Sequence, residues 1–229
     1  MNPPELSEIL KILKITKESD MLHMENEVSY SILSEYAMKS KENRWTLDRS
    51  ARIDLALMAV SLGAEIEQVV SHLNWKDFEG FIARILREHN YECVESFRRV
   101  GNSDRQGMEI DVIGIRNGVI VSVDAKMWGI RGGKASALRT AAEKQAKRTR
   151  RLGSELSNLA EKVRTMQKGE YVMRPMVVTW LIEDVEIHDG IPVIPVFKFN
   201  SFLLNYSMFE DRLRSFKGVL NIQYDQTKL

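Results

Sequence analysis

The stretch from Gly107 to Trp128, GMEIDVIGIR, Asn-Gly, VIVSVDAKMW, constrains the fold more than any other part of the chain. Asn117-Gly118 between two β-branched runs is a tight-turn signal, because both residues tolerate the left-handed backbone that a two-residue hairpin needs. The runs therefore predict two antiparallel strands. Each carries a carboxylate, Asp111 or Asp124, where a core-facing strand ordinarily places Val or Ile, and that costs stability unless the charge is paired or used. Side chains alternate along a strand, so Asp124 and Lys126 point to one face and Ala125 points away. The register set by the turn predicts Asp111 on that same face, so that two carboxylates and an ammonium converge.

Two acids held close repel one another unless a cation lies between them, and a hard divalent ion is the simplest resolution. Oxygen ligands, with no thiolate and no paired histidines, favour Mg²⁺ or Mn²⁺ over Zn²⁺. His23, His72, His89 and His188 are scattered without ligand spacing. Lys126 beside such an ion places positive charge on the developing oxyanion of a phosphodiester, or orients the attacking water. Cys93 is the only cysteine, which excludes an internal disulfide and a thiolate cluster and suits a reducing cytoplasm. The start of the chain mixes acids and lysines with its apolar residues and does not read as an export signal. Nowhere are there the roughly 18 uninterrupted apolar residues of a membrane span, so a soluble, cytoplasmic protein is expected.

Around the hairpin the pattern is mixed α/β. WKDFEGFIARILREHN is an amphipathic helix with Phe78, Phe81, Ile82, Ile85 and Leu86 on its apolar side. A strand is expected over Tyr91–Val100 and a long helix from about Lys134 to Met166, bent near Gly153. RPMVVTWLIED and IPVIPVFKF read as strands, and a last helix is placed around Ser201–Phe216. Before Trp75 the three- and four-residue apolar spacing of Leu6, Ile9, Leu10 and Leu13, and later of Ile53, Leu57 and Val60, predicts helices, with Thr46 or Asp48 as a cap. The expected architecture is an all-helical N-terminal region over residues 1–74 and an α/β domain over 75–229, a mixed central sheet flanked by helices.

The array of Glu79 on a helix, then Asp111, then Asp124-Ala125-Lys126 resembles the PD-(D/E)xK nuclease superfamily. Within it, WKDFEGFIARILREHNYE, the hairpin with VDAKMW and the later AAEKQAKRTRRL are most similar to Mrr-type restriction-endonuclease domains and archaeal Holliday junction resolvases. The resemblance covers about Trp75 to the end of the chain. Ile110 stands where the motif name has proline, and Asp124 where glutamate is more frequent; neither change removes an oxygen ligand. The resemblance implies a restriction-endonuclease-like fold and Mg²⁺- or Mn²⁺-dependent hydrolysis of DNA. It also implies metal ligands from Glu79, Asp111, Asp124 and the Ala125 carbonyl, with Gln145 near the site.

Charge is uneven along the chain: residues 1–125 hold 15 Lys/Arg and 21 Asp/Glu, whereas residues 126–174 hold 13 and 4. A basic segment is commonly a solvated helix face, but here it adjoins Lys126, which favours phosphate contacts. Arg131, Lys134, Lys144, Lys147, Arg148 and Arg151 are the candidate DNA-contacting residues. Ser103, Asp104 and Arg105, in the polar loop before the hairpin, and Trp128 are further surface candidates. Two other readings compete with a DNA endonuclease: a non-catalytic DNA-binding protein that keeps the fold, and a RecB-like exonuclease without an iron–sulfur cluster. Cutting both strands calls for two active sites, which leaves a homodimer open.

Overall fold

The computed structural model describes residues 6–23, 30–39, 44–101, 107–127, 134–179 and 186–221. The chain forms two compact units, Met1–Arg84 and Ile85–Leu229.

The N-terminal unit contains α1 (Leu6–Ile15), β1 (Met21–His23), α2 (Tyr30–Tyr36), β2 (Met38–Lys39), β3 (Arg44–Thr46), α3 (Arg49–Ser61), α4 (Ile66–Ser71) and the start of α5 (Trp75–Glu88). It is not all-helical: β1, β3 and β2, in that order, form a three-stranded antiparallel sheet. Strands of two or three residues are too short for alternation to stand out, so only the buried Leu22 and Trp45 mark them. Asp48 caps α3, its carboxylate accepting the Ala51 N–H at 2.8 Å. Asn74 caps α5 by accepting the Asp77 N–H at 2.9 Å, while the Asp77 carboxylate accepts the Asn74 N–H at 3.3 Å. Asp77 also takes two hydrogen bonds from the buried Arg52, at 2.9 and 3.1 Å.

The second unit is a mixed sheet built from β4 (Glu92–Arg99), β5 (Met108–Arg116), β6 (Val119–Lys126), β7 (Gly169–Thr179), β8 (Glu186–His188), β9 (Ile191–Pro195) and β10 (Phe216–Leu220). The order is β4-β5-β6-β7-β9-β8, with β10 on β7. β4, β5 and β6 are antiparallel; β6 to β7 and β7 to β9 are parallel. Asn117 (φ 50°) and Gly118 (φ 77°) make the turn between β5 and β6. Gly114 on β5 lets its neighbours close in, since a Cβ there would lie 2.9 Å from Val121 and 3.3 Å from Leu86.

Between β6 and β7 the chain forms α6 (Lys134–Leu152) and α7 (Leu156–Ala160), so the long helical stretch is interrupted after Leu152. Leu138, Ala141, Ala142 and Ala146 of α6 pack on Val177 of β7 and on Ile191 and Val193 of β9. Leu152, Leu156 and Leu159 pack on Ile113, Ile115, Ile120 and Met173. IPVIPVFKF is a strand only to Pro195, after which α8 (Val196–Leu204) begins; an uninterrupted apolar run carries no period to separate strand from helix. The expected last helix ends at Leu204, is followed by two 3₁₀ turns, and gives way to β10, whose pairing with β7 is a long-range contact that FKGVL does not announce. Among the described residues no helix is long and apolar enough to cross a membrane.

Candidate active site

β5 and β6 part company at the first acid. The turn sets the expected register, from Arg116↔Val119 to Val112↔Val123, but the ladder ends there, one step before Asp111 and Asp124. β6 runs on beside β7 through Asp124↔Val177, Ala125↔Val178 and Lys126↔Thr179. On the opposite edge β5 pairs with β4 on both sides of Asp111, at Phe97↔Ile110 and Glu95↔Val112, and skips Ser96 and Asp111. Ser96 has φ 52°, a left-handed conformation that costs a non-glycine residue on the order of 1–3 kcal/mol. Asp111 therefore sits where both ladders of its strand are interrupted.

The Asp111 carboxylate takes over a main-chain role in that gap, its Oδ2 accepting the Ala125 N–H at 2.8 Å. In an extended residue the N–H and C=O leave from the same edge of the strand, so the Ala125 carbonyl also faces β5 rather than β7. Three oxygen-bearing groups, Asp111, Asp124 and the Ala125 carbonyl, thus border the point where the strands separate.

Asp124 is only 2 % exposed. Its Oδ1 accepts from Lys126 Nζ at 3.0 Å and from Arg148 Nη1 at 2.8 Å, and its Oδ2 lies 2.9 Å from Lys126. The two cations reach water, their side chains being 27 % and 34 % exposed. A pocket of about 340 Å³ opens over this cluster and is lined by Asp124, Lys126, Thr140, Ala141, Lys144 and Arg148, together with Ala137.

α6 is fixed to β6 beneath the pocket by Gln145, which is fully buried. Its Nε2 donates to the Ser122 carbonyl and to Ser122 Oγ, both at 2.8 Å. Ser122 is two residues before Asp124 and shares its side of the strand. The Gln145 Oε1 is buried with no hydrogen-bond partner among the described residues.

A wider groove of about 730 Å³ adjoins the pocket and shares Lys144 and Arg148 with it. One wall carries Lys144, Lys147, Arg148 and Arg151 of α6; the other carries Arg98 and Arg99 of β4 with Gly107, Met108 and Glu109. Arg98 is paired with Glu109 at 2.7 Å and Arg99 with Glu155 at 2.8 Å. Arg151 Nη1 donates to the Gly107 carbonyl at 3.4 Å.

Of the residues singled out from sequence, Asp124, Lys126, Lys144, Lys147, Arg148 and Arg151 are thus gathered around one pocket and its adjoining groove, with Asp111 on the neighbouring strand and Gln145 under it. Glu79 lies on α5 in the N-terminal unit, where it is buried and ion-paired with Lys76 at 2.8 Å. Lys134 begins α6. Arg131, Trp128, Ser103, Asp104 and Arg105 lie outside the described residues. Among the described residues, no three His, Cys, Asp or Glu side chains gather into a group able to hold a metal ion. Arg98, Arg99 and Ser122 were not apparent in the sequence. The Arg98-Arg99 doublet was the available signal, masked by the acidic balance of residues 1–125. The thiol of Cys93 is pushed up to about 12 by burial, with Glu95 and Glu92 reinforcing and Arg87 opposing, which makes it inert near neutral pH.

No family model matches the chain. An uncharacterized protein of Archaeoglobus fulgidus is 28% identical over 137 residues, covering 60% of this chain and 95% of that protein. Among solved structures, the protein of unknown function AF1548 aligns at 22% identity and a TM-score of 0.29, covering 46% of this chain and 47% of that one. Protein VC1899 from Vibrio cholerae aligns at 11% identity and a TM-score of 0.37, covering 91% of this chain and 51% of that one. The chain spans about half the length of each of these two structures.

Proposed function

We propose that the chain is a divalent-cation-dependent DNA endonuclease with a restriction-endonuclease-like domain of the PD-(D/E)xK type. The observation that carries this reading is the opening of the sheet at Asp111, beside the buried Asp124 with its partner Lys126 and next to a groove with six cationic side chains. A purely structural ion pair needs no interrupted ladder and no basic groove.

The donor set suits Mg²⁺ or Mn²⁺. Mg²⁺ is bound through one or two carboxylates and keeps several waters, so Asp111, Asp124 and the Ala125 carbonyl are a sufficient set from this unit. The family resemblance implies a ligand role for Glu79, which in this chain lies in the N-terminal unit and is paired with Lys76. When bound, the cation supplies Lewis-acid polarisation of the phosphoryl group and makes water more acidic. The remaining work falls to the chain. Lys126 holds an ammonium beside Asp124, where it offsets charge developing on the phosphodiester oxygens. Ala125 N–H fixes the Asp111 carboxylate, and Gln145 anchors β6 to α6 through Ser122. The groove cations bind the nucleic-acid backbone and set its register, without reading sequence.

The test is Mg²⁺-dependent cleavage of supercoiled plasmid. Asp111→Ala and Lys126→Ala are each expected to lower the rate by about 10²–10³ or more, the range for losing one preorganised charge-stabilising group. Their circular dichroism should match the wild type. Undiminished cleavage by the purified double variant contradicts the assignment, and an enzyme that digests linear DNA but leaves circles intact is an exonuclease. One observation favours the non-catalytic alternative: Lys126 and Arg148 already neutralise Asp124. That reading predicts DNA binding with no divalent-dependent cleavage of any substrate.

A further inference from the structure

We infer that Arg148 is an electrostatic latch that makes cation binding and phosphate-backbone binding assist one another. The inference rests on the proposed role of Asp124 as a cation ligand. Lys126 alone already spans both oxygens of that carboxylate, at 3.0 and 2.9 Å. Arg148, at 2.8 Å from Oδ1, is therefore a second positive charge on a group that one cation would neutralise. A divalent ion approaching Asp124 meets both charges at contact distance, and like charges that close repel one another even where the two side chains reach water.

Arg148 is the one of the two with an alternative place to go. It lines both the 340 Å³ pocket and the 730 Å³ groove, whereas Lys126 lines only the former. Its guanidinium offers several donors in a planar fork that fits a phosphate as well as a carboxylate. A backbone phosphate seated in the groove competes with Asp124 for that fork and leaves Oδ1 with Lys126 as its one cationic partner of the two, which lowers the repulsion an incoming cation meets. In the other direction, a cation on Asp124 displaces Arg148 toward the groove and strengthens its hold on phosphate. Linkage makes the two effects equal in size. The device keeps Asp124 occupied until nucleic acid is present, so that the cation site is completed by its substrate.

The test measures Mn²⁺ affinity from the electron paramagnetic resonance signal of the free ion, with and without a duplex of phosphorothioate DNA that resists cleavage. Uptake by Asp124→Asn under the same conditions gives the background, including Mn²⁺ held by the DNA itself. The wild type is expected to bind Mn²⁺ roughly 5- to 150-fold more tightly when the duplex is present, the usual range for coupling between two sites. Arg148→Gln is expected to bind Mn²⁺ more tightly than the wild type without DNA and to gain less from adding it. Equal wild-type affinity with and without duplex overturns the latch, as does an Arg148→Gln protein whose Mn²⁺ affinity is no higher than that of the wild type. The wild-type comparison does not use Arg148→Gln, so poor folding of that variant leaves it decisive. Absence of specific Mn²⁺ uptake by the wild type under both conditions removes the cation site itself, and the latch with it.

Discussion

A carboxylate buried to 2 % and held by two cations, as Asp124 is, has more positive charge around it than folding requires. Either cation alone keeps the buried charge compensated, and both are a quarter to a third exposed, so losing one is cheap. Losing both leaves a buried carboxylate without a counter-charge, which costs about 3–5 kcal/mol. Lys126→Met and Arg148→Met should therefore each lower stability by about 1 kcal/mol or less, whereas the double variant should fall by clearly more than their sum. Urea unfolding of the four proteins checks this, and simple additivity would mean that the two cations do not back each other up. Asp111 is different in kind: its carboxylate replaces a strand carbonyl as acceptor for the Ala125 N–H.

Among the elements, α5 shows how a cap can be tied to a core. Asn74 and Asp77 satisfy each other's main-chain N–H groups, and Asp77 is also the bidentate partner of Arg52 on α3. Asp77→Ala removes the cap and leaves the Arg52 guanidinium, which is 4 % exposed, short of its main partner. A loss of about 3–5 kcal/mol is expected in the thermal or urea unfolding of the intact chain, and a loss below about 1 kcal/mol would contradict the pairing. The elements also separate what sequence conveys from what it hides. The β5–β6 hairpin was legible because Asn117-Gly118 and the β-branched runs on either side are local signals, and Asp111, Asp124 and Lys126 were legible because each is a charge set into those apolar runs. The interruption at Asp111 was not legible, since it depends on Ser96 of β4, whose left-handed backbone nothing in ESFRRV announces. β1, β2 and β3 are too short to show a period, and β10 forms on the Gly169–Met173 part of β7 that β9, paired only at Val177–Thr179, leaves open. Arg148 was legible as a cation on α6 but not as the partner of Asp124, because that contact joins residues 24 apart on two different elements.

For the chain as a whole, a net charge of +1 conceals a groove that gathers Arg98, Arg99, Lys144, Lys147, Arg148 and Arg151. Counter-ion release makes phosphate binding fall steeply with salt, by roughly 0.9 in log–log slope for each phosphate neutralised on duplex DNA. Removing Lys144 and Lys147 together should lower that slope by about 2 and weaken binding alike for all sequences, as measured by fluorescence anisotropy. An unchanged slope would place the DNA elsewhere on the protein. The reading as a nuclease depends on a cation held where β5 and β6 separate, and the most direct view of it is anomalous scattering from crystals grown with Mn²⁺. The predicted result is a peak within roughly 2.0–2.6 Å of carboxylate oxygens from both Asp111 and Asp124, bordered by the Ala125 carbonyl. Crystals in which Mn²⁺ binds only at other positions, with Asp124 still closed by Lys126 and Arg148, would contradict it.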